Sequence, residues 1–233
     1  HRAMGIYKRL TYICLTEFNR KKLLGLKGLT PGQIFVKPNA VSAPEALMPE
    51  LERQDRFLFA ARLEEMKGIR VLLEAWRLLG ANGPELLICG SGPLDEWSRK
   101  FAADNKMTNV RFLGRLPNDQ VRRLMATSRA LILPTQWYEG FPLSIAESYS
   151  MGTPVLVSNL GNGGSLIKQG VTGLKFDPKS PQSIAKAVGK MEAEKNVNWE
   201  ENTRRVYDQA LTPEKNYAAL MEVYAAAKER VRK

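Results

Sequence analysis

The sequence predicts a doubly wound α/β domain, Rossmann-like, in which a parallel sheet carries helices on both faces. Two observations predict it. From Arg56 to Met191, short apolar runs alternate with segments of helical periodicity. The helical segments, of about a dozen residues, are long enough for right-handed crossovers between parallel strands.

The elements follow in order. Leu10 to Thr16 reads as a strand and Phe18 to Gly25 as a helix, after which Pro38-Asn39-Ala40-Val41-Ser42-Ala43-Pro44 reads as a linker. A lone strand ahead of a linker has no sheet of its own, so its sheet is expected outside this chain. Arg56 to Ala61 is a buried strand, followed by a helix over Ile69 to Gly80 with Leu72, Leu73, Trp76 and Leu79 on one face. Glu85 to Cys89 is the next strand, closed by Gly90-Ser91-Gly92-Pro93, and Leu94 to Asn105 is a helix. Asn109 to Leu113 is a strand ending at Gly114, and Asn118 is expected to cap the helix that follows. Ala130 to Leu133 is a strand, and Pro142 to Met151 a helix with proline in its first turn. Pro154 to Ser158 is a strand, followed by a glycine-rich turn and a short helix ending near Gly170. Gly173 to Phe176 and Pro181 to Met191 complete the pattern as strand and helix. Beyond them, Asn198 to Gln209 and Pro213 to Arg230 are helices. The last one places Tyr217, Leu220, Met221 and Tyr224 on one face, which is expected to cover something apolar.

Composition narrows the class. A hydrophobic content of 44% with 25% charged residues supports a buried core of ordinary size. No apolar run approaches the roughly eighteen residues of a membrane-spanning helix, and the basic start of the chain carries no apolar signal core. Cys14 and Cys89 lie inside apolar runs and read as reduced core residues of a cytoplasmic protein. With no cysteine or histidine cluster, a zinc site is not expected. Residues 1–38 hold eight Lys or Arg against the single acid Glu17, a net +7 out of the total of +11. A basic end suits an anionic neighbour such as acidic lipid head groups or phosphorylated ligands, and suits equally a solvated surface with no partner.

Ligands of a doubly wound sheet bind at the carboxyl ends of its strands, so the loops there decide the chemistry. Glu139-Gly140-Phe141-Pro142-Leu143 follows a strand and leads into a helix whose free N–H groups suit a phosphate. Glu139 precedes that helix and Glu147 lies inside it, so the pair could hold hydroxyls on either side of a diphosphate. Arg62 and Lys67 follow the first core strand, where a planar fork and a compact charge could converge on one diphosphate. Read alone, the same loop could be a charged surface turn in which Glu64 and Glu65 pair with them. Gly90 and Gly92 allow close backbone approach to a ligand, without the third glycine of a dinucleotide fingerprint, since position 95 is Asp95. Gly161-Asn162-Gly163-Gly164 before Ser165 is a fourth loop of this kind.

Together these residues resemble the retaining glycosyltransferases of GT-B fold, in the large group that assembles bacterial polysaccharides and glycolipids. The resemblance runs through Ala61-Arg62-Leu63, Lys67-Gly68, Gly90-Ser91-Gly92-Pro93, Val110 to Gly114, Glu139-Gly140-Phe141-Pro142 with Glu147, Gly152-Thr153-Pro154-Val155 and Gly170-Val171-Thr172-Gly173. It is close over residues 36–190. It implies that Arg62 and Lys67 bind the diphosphate and stabilise its departure, that Glu147 holds ribose hydroxyls, and that Glu139 contacts the donor sugar near the reacting carbon. It implies further that backbone N–H groups around Gly140, Phe141, Pro142 and Leu143 bind sugar and phosphate oxygens, with main chain near Gly90, Gly92 and Leu116 lining the nucleotide pocket. No cofactor and no metal are implied. Three departures stand out: Ala61 replaces a usual glycine, Gly164-Ser165 replaces a usual acid, and the only histidine is His1.

By this resemblance residues 1–37 are a remnant of an N-terminal acceptor domain, 38–55 a hinge, 56–195 the donor-binding domain, and 196–233 C-terminal helices crossing back. The expected function is sugar transfer from a nucleotide-diphosphate sugar to a saccharide or lipid-linked acceptor, with this chain inactive alone. The expected partners are therefore the nucleotide sugar, the acceptor, an N-terminal domain in cis or in trans, and peripheral contact at the inner membrane face. A non-catalytic nucleotide-sugar-binding subunit is the alternative. Nucleic-acid binding rests on charge alone and lacks the aromatic platform that single strands need.

Overall fold

The computed structural model describes residues 10–43, 52–194 and 196–232. Its first element, β1 (Tyr12–Cys14), leads through α1 (Glu17–Leu24) to β2 (Ile34–Val36). The expected orphan strand has a partner: β1 pairs in parallel with β2, Tyr12 opposite Ile34 and Cys14 opposite Val36. Sequence reading missed β2 because three residues are too few for a period-two pattern to register. Thr16 caps α1, its hydroxyl oxygen accepting the Asn19 N–H at 3.1 Å.

The main sheet has six parallel strands in the order β5-β4-β3-β6-β7-β8. These are β3 (Gln54–Ala60), β4 (Glu85–Cys89), β5 (Val110–Gly114), β6 (Ser128–Leu133), β7 (Val155–Ser158) and β8 (Gly173–Phe176). The helices between them are α2 (Ile69–Leu79), α3 (Asp95–Asp104), α4 (Asn118–Thr127), α5 (Leu143–Ser150), α6 (Gly161–Leu166) and α7 (Pro181–Ala193). Strand order reverses between β3 and β6, so a crevice opens where their carboxyl ends diverge.

Alternation along the strands feeds two cores. Phe57 and Phe59 face a cluster with Leu72 and Trp76 of α2, Ala102 of α3, and Ile184 and Val188 of α7. Leu58, between them, faces the other side with Met125 of α4 and Ile145 and Tyr149 of α5. Burial on both faces is why these strands read as continuous apolar runs. Trp76 packs edge-on to Phe57 at 5.8 Å and donates its indole N–H to Pro84 O at 2.9 Å.

After α8 (Trp199–Ala210), α9 (Pro213–Arg232) runs back to the small sheet. The Asn216 amide donates to Pro38 O at 2.5 Å and accepts from Lys37 Nζ at 3.1 Å, while Arg230 donates to Gly32 O at 2.8 Å. The linker is docked rather than free: Val41 donates its N–H to Leu211 O at 3.1 Å and accepts the Tyr207 hydroxyl at 2.8 Å. Residues 44–51 of the predicted hinge and residues 1–9 of the basic end lie outside the described residues.

Three further expectations need correction. Asn118 is the first residue of α4 and not its cap, a position taken by Pro117, whose side chain accepts no hydrogen bond. Gly161-Asn162-Gly163-Gly164 is not a turn but the opening of α6 itself. On α9 the inward side is set by Asn216 and the buried Val223, leaving Tyr217, Met221 and Tyr224 exposed.

Candidate active site

The crevice begins at two loops that share backbone. Lys67 ends a single 3₁₀ turn, Glu65–Lys67, after β3, and Gly68 then starts α2 with φ +75°. The loop after β6 lies directly against this turn: Gln136 donates its N–H to Met66 O at 2.8 Å, and Thr135 Oγ1 donates to the same oxygen at 3.1 Å. That contact brings Lys67 Nζ onto Glu139 Oε1 as an ion pair, with Thr135 Oγ1 3.4 Å from the same carboxylate oxygen. Glu139 is held from behind as well, its main-chain oxygen accepting the Asn162 amide at 2.6 Å. Asn162 Oδ1 in turn accepts the Thr16 hydroxyl, and Tyr138 stacks on Phe18 at 6.4 Å, so α1 supports the acid loop.

Beside this pair is a cleft of about 580 Å³, lined by Arg62, the Gly90-Ser91-Gly92 turn, Arg115, Leu116, Ser144 and Glu147 among others. Gly90 and Gly92 are required there by packing: a Cβ at Gly90 would lie 1.9 Å from Ala61 O, and one at Gly92 2.4 Å from Leu63 O. No side-chain cap bond is made at Pro142, the N-cap of α5, and Ser144 in the first turn of that helix lines the cleft. Glu147 sits four residues into α5 with its side chain 19% exposed. Its Oε1 accepts the Asn118 amide at 3.3 Å and lies 3.6 Å from an Arg122 guanidinium nitrogen. Cys89 also lines the cleft, but burial pushes its thiol up, which keeps it protonated and a poor nucleophile.

Every residue singled out in the sequence therefore falls at one edge of the sheet, in two groups. Arg62, Gly90, Gly92, Leu116 and Glu147 share the cleft. Lys67 and Glu139 pair beside it, with Gly140, Phe141, Pro142 and Leu143 running from Glu139 into α5. Arg62 and Lys67 do not share a partner in this state. Arg62 reaches Glu64 at 3.4 Å and is 65% exposed, whereas Glu65 turns away to Arg70 at 2.5 Å. Pro142 has no N–H to offer, so donation from this stretch falls to its neighbours. Sequence reading gave Thr135 no part, took Asn162 only as part of a glycine-rich loop and Asn118 only as a helix cap, and missed Arg122. The last two stand four apart on one face of α4, a spacing that could have been noticed. The first two are ordinary polar residues whose partners are fixed only by tertiary packing.

Among the described residues no group of three or more His, Cys, Asp or Glu is placed to hold a metal ion. No helix among them is long and apolar enough to cross a membrane.

Comparison with known proteins points one way. The family model described as "Glycosyl transferases group 1" matches residues 48–210. D-rhamnosyltransferase WbpZ of Pseudomonas aeruginosa is 34% identical over 134 residues, 57% of this chain and 34% of its own length. The solved lipopolysaccharide outer core galactosyltransferase WaaB superposes with TM-score 0.78 and 19% identity, over 93% of this chain and 62% of that one. Staphylococcus aureus TarM, solved as a mutant with UDP among its ligands, gives TM-score 0.76 and 18% identity over 92% of this chain and 43% of that one. These superpositions place the main sheet and its helices in the GT-B fold. The chain spans between a third and a half of the length of the curated relatives it matches first.

Proposed function

The chain belongs to the group 1 glycosyl transferases, and from that premise we propose that it supplies the donor-binding half of a sugar transfer. The donor is a nucleotide-diphosphate sugar, the acceptor a saccharide or lipid-linked saccharide, and the anomeric configuration is retained. The observation that carries this reading is the grouping at one sheet edge. A cleft with Glu147 and Arg62 in its wall adjoins an uncapped helix start and the Lys67–Glu139 pair.

Each group has work to do. Glu147 accepts hydrogen bonds from ribose hydroxyls, while Gly90, Gly92 and Leu116 bring main chain close to the nucleoside. The diphosphate lies at the start of α5, where the amides of Leu143 and Ser144 and the positive end of the helix favour an anion. Arg62, mobile enough to leave Glu64, and Lys67, released from Glu139, meet the charge that grows on the leaving diphosphate. Those two cations and the helix do the neutralising that a divalent metal does elsewhere, so we expect transfer without one. Glu139, freed in the same exchange, takes a hydroxyl of the donor sugar, and the departing phosphate accepts the acceptor's proton.

In this reading the β1–α1–β2 unit belongs to an acceptor-binding half supplied in cis or in trans. The reaction takes place in the cytoplasm, at the inner membrane face if the acceptor is lipid-linked. The chain alone is expected to bind uridine or guanosine diphosphate in a calorimeter and to turn over no sugar. A folded sample with affinity for neither would refute the binding. Glu147→Gln is expected to weaken nucleoside diphosphates several-fold while leaving inorganic diphosphate unchanged, and equal losses on both would remove the ribose assignment.

A further inference from the structure

We infer that Arg122 is a positioning residue for Glu147, and so sets how strongly the site distinguishes a ribose from its deoxy counterpart. The inference rests on the reading of Glu147 as the ribose carboxylate. It begins with how the guanidinium is placed. Arg122 stands one turn after Asn118 on α4, and the two converge on a single oxygen of Glu147, Asn118 Nδ2 at 3.3 Å and Arg122 at 3.6 Å. The other arm of the guanidinium donates to the main-chain oxygen of Ser42 at 3.2 Å. Arg122 is thus braced between the docked linker and α5.

Two details separate this from an incidental surface pair. Both side chains are largely covered, 24% exposed for Arg122 and 19% for Glu147. Arg122 also buries its Nε with no hydrogen-bond partner among the described residues. An unpaired buried donor is unfavourable, so the side chain is held in this pose by what its two terminal nitrogens reach. The consequence for Glu147 is chemical. With Oε1 hydrogen-bonded by Asn118 and ion-paired with Arg122, the carboxylate is held in one orientation, and Oε2 is the oxygen left for a ligand hydroxyl.

The test uses the full chain and seven probes by calorimetry: uridine, guanosine and adenosine diphosphates, their 2′,3′-dideoxy forms, and inorganic diphosphate. Wild type is expected to prefer the ribose form of whichever base binds. Arg122→Ala is expected to cut that preference at least threefold, with inorganic diphosphate unaffected, and Arg122→Lys to restore part of it. In a Glu147→Gln background the Arg122→Ala loss should vanish, because the two changes act on one interaction. Ribose and dideoxy forms weakened equally, or the same loss in both backgrounds, would overturn the inference while leaving Glu147's own role intact. Should Arg122→Ala not fold, Arg122→Gln keeps the side-chain bulk and carries the same expectation. A wild type that shows no ribose preference overturns the reading of Glu147 and this inference with it.

Discussion

Gly68→Ala is expected to destabilise the protein by about 4 kcal/mol or more, a large part of a domain's usual stability. Two causes act together. The residue sits at φ +75°, where a side chain is strained, and its Cβ would lie 1.8 Å from Pro134 O and 2.7 Å from the carbonyl carbon. Neither loop can give way cheaply. The Pro134 segment is fixed to the 3₁₀ turn by the Gln136 and Thr135 bonds to Met66 O. Gly114→Ala separates the causes, since Gly114 has φ +69° and a methyl added there would meet nothing within 4 Å. Its cost should stay near 1 kcal/mol, roughly the backbone share alone. Urea unfolding of both variants decides it, and similar midpoints would mean that the contact with Pro134 carries no weight.

Lys67→Ala is expected to weaken nucleoside diphosphate binding by about 1.5–3 kcal/mol, roughly ten- to hundredfold. The loss has two sources. One is the cation that meets the diphosphate. The other is Glu139, whose carboxylate oxygen is paired with Lys67 and would otherwise face an incoming anion uncompensated. Glu139→Gln in the Lys67→Ala background should therefore recover part of the affinity, and Glu139→Gln alone should strengthen binding of inorganic diphosphate by freeing the lysine. Calorimetry on the three variants tests both parts. An additive double variant would show that the two side chains act independently of each other.

The sheet was legible because its strands are buried on both faces and its helices carry clear apolar stripes, as with Trp76 and Leu72 of α2. Most boundaries moved by a residue or two, as β3 starts at Gln54 and not Arg56, while α6 ends at Leu166 and not near Gly170; Arg53, placed in the hinge by sequence, is a structural residue. Its guanidinium donates to Ser128 O, Met151 O, Gly152 O and Thr153 Oγ1 at 2.8–3.0 Å, contacts that no local pattern announces. At the site, residue types and strand ends were readable from the chain, since Arg62, Lys67, Glu139 and Glu147 all follow predicted strands. Their pairings were not. Lys67 chose Glu139, 72 positions away, over the nearby Glu65, because the fold presses the two loops together. The outward face of α9 was misjudged for the same reason: the tyrosines outweigh Asn216 in any hydrophobic pattern, yet Asn216 makes the contacts.

The Thr16 hydroxyl serves two masters. Its oxygen caps α1 through the Asn19 N–H, and its proton goes to Asn162, 146 positions later, which steadies Glu139. This ties the amino acids tolerated at one position to the choice at the other. A relative with glycine at position 162 has no acceptor for that proton, so aspartate or asparagine would cap α1 there as well as threonine does. With asparagine at 162, the cap must also supply a donor, which aspartate cannot do, so the two positions should drift as a pair.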